Sequence, residues 1–169
     1  RGEGEVTIVE LFSYILNKRG DIADISGITY INSDGNIVRN PNKEYIKDLD
    51  TIKFPIRSKN KSGVGIQTSR GCPGKCIFCC AYGLSGGKYR MRSAENVVNE
   101  IEILYKDGVR NILFQDDTAT VNVKRLIHIM DLMERRNLNI TWSAESRVDI
   151  INQDYRIFEK MVASGCQSI

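Results

Sequence analysis

The sequence has no long hydrophobic run, and its formal net charge is only +3. No apolar stretch approaches the roughly eighteen residues of a membrane helix, so we expect no membrane span. A secretory signal pattern is also lacking. Basic residues concentrate between Lys53 and Arg92, but no aromatic platform for stacked bases is interleaved with them. We therefore do not expect a nucleic-acid partner.

Only one histidine is present, which leaves little for histidine-based chemistry. This residue, His128, lies off the apolar stripe of its predicted helix, so we expect a surface side chain rather than a metal ligand. Hydrophobic residues make up 41% of the chain and charged residues 27%, which is sufficient for one globular domain or part of one. Reduced cysteines favour a reducing compartment, and we expect the cytoplasm.

Four of the five cysteines stand on one short predicted loop, and three of them form a spaced array. Cys72, Cys76 and Cys79 form a Cys-x-x-x-Cys-x-x-Cys array directly after a predicted strand. Three thiolates can hold a [4Fe–4S] cluster by three of its four irons, whereas such clusters normally take four cysteines. The remaining iron then keeps an open coordination site, as a reactive cluster requires.

Two other uses of these cysteines, a zinc site and an electron-transfer cluster, fit the pattern less well. A structural zinc module normally takes four ligands in two pairs, but the fourth sulfur of the loop, Cys80, directly follows Cys79 and is poorly placed to share one tetrahedral ion. Cys166 is distant in sequence and follows a glycine, so we expect it to pack in the core. An electron carrier would need a fourth thiolate. The cluster with an open iron is the favoured interpretation.

Periodicity predicts an α/β fold. Residues 5–18 have helical apolar spacing, and two β-rich runs around Asp34-Gly35 predict a hairpin with a tight primed turn. A connector with one short helical turn follows. From residue 64 onward, strands alternate with helices, with strands predicted at 64–68, 110–114, 139–144 and from 166, and helices at 93–106, 122–136 and 153–163. This alternation predicts right-handed βαβ units with a parallel sheet, in either a doubly wound or a barrel arrangement.

The residues around the cysteine loop, SRGCPGKCIFCCAYGLSGGKYRMRS, resemble the radical S-adenosylmethionine (radical SAM) superfamily. In that superfamily the open iron chelates the amino and carboxylate groups of S-adenosylmethionine. The resemblance implies a partial (β/α)6 barrel, of which residues 61–169 would form the first half and stop at strand four. It also implies that Phe78 lies beside the bound nucleoside.

Polar residues follow the next two predicted strands, where barrel enzymes carry their active groups. Asp116 and Asp117 follow the second strand, and either can accept hydrogen bonds from the cofactor amino group. After the third strand, Glu145 can accept from the ribose hydroxyls, and Arg147 can pair with the cofactor carboxylate in bidentate geometry. Alternatively, Asp117 or Thr118 caps the following helix.

Further stretches resemble the cobalamin-dependent branch of the superfamily: RGEGE, GITYINSDGNIV, DLDTIKFPIR, FQDDTAT and ITWSAESRVD. In that branch a cobalamin-binding domain precedes the radical SAM core, so residues 1–60 would form the connector that follows it. One departure is Ala119, where the resemblance leads us to expect an aromatic residue.

The resemblance implies reductive cleavage of S-adenosylmethionine and, in this branch, methyl transfer through cobalamin. It also implies a low-potential electron donor of the flavodoxin or ferredoxin type, and a substrate that the sequence does not identify. A methylthiolating or tRNA-modifying enzyme is the alternative within the superfamily. We expect the chain to be a fragment, inactive by itself.

Overall fold

The computed structural model describes residues 1–57, 63–151 and 156–169. The end of the predicted connector and the start of the third predicted core helix lie outside these residues. The chain divides into two compact units, Arg1–Lys47 and Asp48–Ile169. Within the described ranges, no helix has the length and apolar character needed to cross a membrane.

The first unit contains one long helix and one hairpin, namely α1 (Gly4–Asn17), β1 (Thr29–Ile31) and β2 (Ile37–Arg39). Both were predicted, but the turn is not a two-residue primed turn. The Asn32 amide donates to the Asn36 carbonyl at 2.9 Å, and the Gly35 amide donates to the Asn32 carbonyl at 3.0 Å. Gly35 has φ of 80°, whereas Asp34 does not enter the positive region. The loop therefore has three residues, with glycine alone in the left-handed conformation.

The second unit alternates strands with helices. In chain order its elements are β3 (Val64–Ile66), β4 (Ser69–Arg70), α2 (Ala81–Leu84), β5 (Arg90–Met91), α3 (Ala94–Lys106), β6 (Asn111–Phe114), α4 (Val123–Arg135), β7 (Thr141–Ala144), α5 (Val148–Ile151), α6 (Arg156–Ala163) and β8 (Cys166–Ser168). The main strands and helices were predicted, while α2, α5 and the short β4–β5 ladder were not. The helical turn expected in the connector is a 3-10 turn at Leu49–Thr51.

The parallel sheet has the order β3-β6-β7-β8, so each strand pairs with the next core strand along the chain. In register, Ile66 pairs with Phe114, and Phe114 pairs with Ala144. A doubly wound sheet reverses its strand order at a switch point, whereas a barrel keeps it sequential. The described strands show no such reversal. This order is the one expected for the first strands of a partial barrel.

The core lies between this sheet and its helices. Ser93 begins α3 by accepting a hydrogen bond from the Asn96 amide at 3.1 Å, and Val97 on the inner face is fully buried. At the centre of β7, Trp142 is fully buried and stacks on Phe114 with 5.1 Å between ring centroids. The Trp142 indole donates to the Ser164 carbonyl at 3.2 Å, as a buried indole requires. The sheet and the helices packed on it therefore position the loops at its carboxyl edge.

Candidate metal centre

The cysteine array lies on the loop between β4 and α2, beyond the carboxyl end of β3. Cys72 is buried, Cys76 is half-buried, and Cys79 is exposed. The loop is irregular, with one turn in which the Cys79 amide donates to the Cys76 carbonyl at 3.1 Å. Among the described residues, no three histidine, cysteine, aspartate or glutamate side chains are grouped to hold a metal ion. The array is therefore not preassembled, but its thiolate donors are the ligands that iron–sulfur clusters take.

Thr118, from the loop after β6, contacts the first cysteine. Its hydroxyl oxygen lies 3.3 Å from the Cys72 sulfur, and its side chain is fully buried. The Gly74 amide donates to the same sulfur at 3.4 Å. A thiolate can only accept hydrogen bonds, so a charged Cys72 accepts from the Gly74 amide. It accepts from Thr118 only when that hydroxyl turns away from the Asp117 carbonyl, to which it donates at 2.5 Å. The Cys72 sulfur therefore has one contact within its own loop and one with the loop after β6.

Arg147, from the loop after β7, contacts the second cysteine. Its Nη1 donates to the Cys76 sulfur at 2.9 Å. The Asp149 carboxylate accepts from Nε at 3.0 Å and from Nη2 at 2.7 Å, forming a bidentate pair. These contacts with Asp149 and Cys76 raise the pKa of the Arg147 guanidinium above its ordinary value. Arg147 is therefore a cation that Asp149 orients toward the cysteine loop.

Asp116 is buried, and its oxygens are already engaged. It accepts hydrogen bonds from the Thr68 amide at 2.6 Å and from the Ser69 amide at 3.0 Å. The Ser69 hydroxyl donates at 2.7 Å, the Thr68 hydroxyl also donates, and Arg125 lies 3.9 Å away. Asp116 thus joins the end of β6 to the chain that leads into the cysteine loop. This geometry favours a positioning role over cofactor contact.

The other three predicted cofactor residues are solvent-accessible. Asp117 and Glu145 are exposed at the carboxyl edge of the sheet, and Phe78 is 89% exposed on the cysteine loop. Asp117 does not cap the next long helix, because Asn122 accepts from the Arg125 amide at 2.9 Å and takes that role. The cofactor contacts of these residues remain predictions.

The remaining single residues behave as the sequence indicated. The half-buried Cys166 packs against the core, and burial raises the pKa of its thiol. His128 is exposed, with its Nε2 3.4 Å from Glu95. Cys80 is also exposed.

Sequence reasoning missed the residues that act on the cysteines through hydrogen bonds. Asp149 stands two positions after Arg147, a spacing that could have suggested a local ion pair. The contact of Thr118 with Cys72 spans 46 residues, and no sequence pattern signals it. The same is true of Thr68 and Ser69, whose partner is 48 and 47 residues away.

Comparison with known proteins identifies the family. The model of the radical SAM superfamily matches residues 66–169, more than half of the chain. The chain belongs to the radical SAM superfamily.

Two curated relatives align over nearly the whole chain. An uncharacterized methyltransferase of Pyrococcus horikoshii is 35% identical, with 100% of this chain and 38% of the relative covered. The anaerobic magnesium-protoporphyrin IX monomethyl ester cyclase of Rubrivivax gelatinosus is 31% identical, with 98% of this chain and 32% of the relative covered. The chain thus spans about a third of the length of these relatives.

A solved structure shares the fold. The radical S-adenosylmethionine methyltransferase TsrM from Kitasatospora setae, with cobalamin and a [4Fe–4S] cluster bound, superimposes with a TM-score of 0.77 at 19% identity. The alignment covers 99% of this chain and 36% of TsrM. At this identity the likeness shows the fold, and it agrees with the sequential strand order described above.

Proposed function

We propose that the protein is a radical SAM enzyme in which Cys72, Cys76 and Cys79 hold a [4Fe–4S] cluster. When bound, the cluster supplies the electron that cleaves S-adenosylmethionine to methionine and a 5′-deoxyadenosyl radical, and its open iron binds the cofactor. The observation that carries this proposal is the three-cysteine loop at the carboxyl edge of a sequentially ordered parallel sheet, in a chain of this superfamily.

The protein side chains at this edge would bind and orient the cofactor. Arg147 has five N–H donors, of which three are engaged by Asp149 and Cys76, so two remain for the cofactor carboxylate. The exposed Asp117 can accept from the amino group, and Glu145 can accept from the ribose hydroxyls. Asp116 would act indirectly, by holding the chain that leads to the cysteine loop.

We propose that the reaction is methyl transfer assisted by cobalamin, or a related radical reaction. A domain that precedes residues 1–60 would bind the cobalamin, and residues 61–169 would form the first half of the radical SAM core. Support comes from the named relatives, a methyltransferase and a cyclase, and from the shared fold of TsrM. A methylthiolating or tRNA-modifying enzyme has weaker support, because a relative named as a putative methylthiotransferase is only 24% identical, compared with 35% for the methyltransferase.

The electron must come from outside the chain. We propose a low-potential donor of the flavodoxin or ferredoxin type, in the cytoplasm, where the free cysteines stay reduced. We expect the described chain to be inactive without the remaining parts of its polypeptide.

The test is anaerobic reconstitution of the full-length protein with iron and sulfide. We expect four irons and four sulfides in this site, and an electron paramagnetic resonance (EPR) signal that changes when S-adenosylmethionine is added. Replacing Cys72, Cys76 or Cys79 by alanine should abolish cluster assembly, whereas Cys80→Ala should not.

Three outcomes would contradict the proposal. Bound zinc without labile sulfide would indicate a structural module instead. A cluster whose EPR signal ignores S-adenosylmethionine would indicate an electron carrier. Full iron content in Cys76→Ala would remove that residue from the ligand set.

A further inference from the structure

The Arg147 guanidinium is held in one orientation at the cysteine loop. The Asp149 carboxylate accepts from Nε at 3.0 Å and from Nη2 at 2.7 Å. Two parallel bonds to one carboxylate fix the plane of the guanidinium as well as its position. Asp149 occupies the Nε and Nη2 side of the guanidinium, and the remaining nitrogen, Nη1, lies 2.9 Å from the Cys76 sulfur. The cation is therefore aimed at one particular cysteine.

Gly74, between the first two cysteines of the array, leaves the space that this guanidinium fills. A Cβ atom at Gly74 would lie 2.4 Å from Nη1 and 3.1 Å from Cζ of Arg147. The backbone of Gly74 does not have a positive φ, so other residues could adopt its conformation. Most of the requirement for glycine at this position comes from the space that Arg147 occupies, since the next atom, the Cys72 sulfur, would lie 3.3 Å from the Cβ.

A cation that donates a hydrogen bond to a cluster ligand changes the redox properties of the cluster. Reduction adds negative charge, and a fixed N–H donor with positive charge favours the reduced form. Hydrogen bonds to the sulfurs are among the factors that set cluster potentials. The Arg147 contact with Cys76 therefore predicts a higher reduction potential than the cysteine ligands alone would produce.

We propose that Arg147 is a positioning residue for Cys76: it donates to the sulfur of this ligand and raises the reduction potential of the cluster, while Gly74 leaves the room this contact needs. The inference rests on the proposed function, because it requires the cluster. It goes beyond that function, since it assigns Arg147 a role that does not depend on S-adenosylmethionine.

The test is the midpoint potential of the reconstituted full-length protein, measured by EPR-monitored redox titration without S-adenosylmethionine. Arg147→Met removes the donor and should reduce the equilibrium constant for cluster reduction about tenfold, which is about 59 mV for one electron. Arg147→Lys keeps the charge and should recover part of the shift. Lys75→Met is the matched control, because it removes a cation of the same loop that lies over the Tyr82 ring, 5.5 Å from its centroid. It should shift the potential far less.

A double-mutant cycle isolates the role of Gly74. Gly74→Ala should displace the guanidinium and lower the potential in the same direction as Arg147→Met. In the Arg147→Met background, the same alanine should have a much smaller effect, which arises from the Cys72 sulfur 3.3 Å from its Cβ. If Arg147→Met assembles no cluster, Arg147→Lys and Gly74→Ala are titrated in its place.

The outcomes separate this inference from the function on which it rests. A wild-type protein that assembles no four-iron cluster overturns both. A wild-type cluster that responds to S-adenosylmethionine, together with an unchanged potential in Arg147→Met, overturns this inference alone. If Arg147→Met assembles no cluster, potentials equal to wild type in both Arg147→Lys and Gly74→Ala overturn this inference alone. A shift in Lys75→Met as large as that in Arg147→Met also overturns it, because a general charge effect would then be sufficient.

Discussion

Replacing Asp116 should destabilise the fold far more than replacing its neighbour Asp117. Asp116 is 3% exposed and accepts hydrogen bonds from two backbone amides and two hydroxyls of Thr68 and Ser69. Asp116→Ala leaves these donors without their acceptor, at about 1–3 kcal/mol for each group that stays buried and unpaired. It also leaves Arg125, 3.9 Å from the carboxylate, without its counter-charge.

We expect a total loss of about 3–5 kcal/mol, as for the removal of one partner from a buried pair. This is less than the sum over four donors, because the two hydroxyls can rotate toward other acceptors. Asp116→Asn keeps one acceptor oxygen for the two amides, so its cost should be about 1–2 kcal/mol. The exposed Asp117→Ala should cost less than about 0.5 kcal/mol.

Urea unfolding of the apoprotein, followed by the fluorescence of the buried Trp142, measures these differences. With an m-value of about 2 kcal/mol/M, Asp116→Ala should lower the midpoint by about 2 M. The result that would refute the reasoning is an Asp116→Ala midpoint as close to wild type as that of Asp117→Ala. In that case the Asp116 carboxylate would be available for the cofactor, as the sequence alone suggested.

Three further predictions follow from single contacts. Thr118→Val removes the hydroxyl 3.3 Å from the Cys72 sulfur and should lower the cluster potential in a redox titration, whereas Thr118→Ser should retain the wild-type value. Gly65→Ala should destabilise the apoprotein by about 0.5–1 kcal/mol in urea unfolding, because its Cβ would lie 2.2 Å from the end of the exposed Gln115 side chain, which must rotate away. Gln115→Ala should relieve most of this cost, and equal losses in both backgrounds would contradict the clash. Burial raises the pKa of the Cys166 thiol, so iodoacetamide near pH 8 should alkylate it more slowly than the exposed thiols of the cysteine loop. Mass spectrometry follows the two rates, and equal rates would contradict the assigned burial.

Local sequence patterns were sufficient to predict the main strands and helices of the second unit. The stripe that includes Val97 and Ile101 predicted α3, and both side chains are fully buried. Ser93 was expected to cap this helix, and its hydroxyl accepts from the Asn96 amide at 3.1 Å. These features depend on residues three to four positions apart, so they can be predicted from the sequence alone.

Patterns misled where another local or tertiary interaction was stronger. Asp34-Gly35 predicted a two-residue turn, but a three-residue loop requires only the glycine to adopt positive φ. The apolar spacing of α1 correctly predicted a helix, yet none of its side chains is fully buried. Periodicity indicates which side chains share a face, but it does not indicate what covers that face.

The sequence by itself determined the ligand type, the cysteine spacing and the alternation of strands with helices, because each depends on residues close together in the chain. Only the tertiary structure decided the sequential order of the strands in the sheet and the hydrogen bonds from Thr68 to the Asp116 carboxylate. It also decided the contact between Arg147 and Cys76, which are 71 residues apart. Such contacts form because parallel strands bring their carboxyl ends to one edge, where loops distant in sequence meet. Side-chain positions at that edge depend on packing and hydrogen bonding across the sheet, which no local pattern encodes.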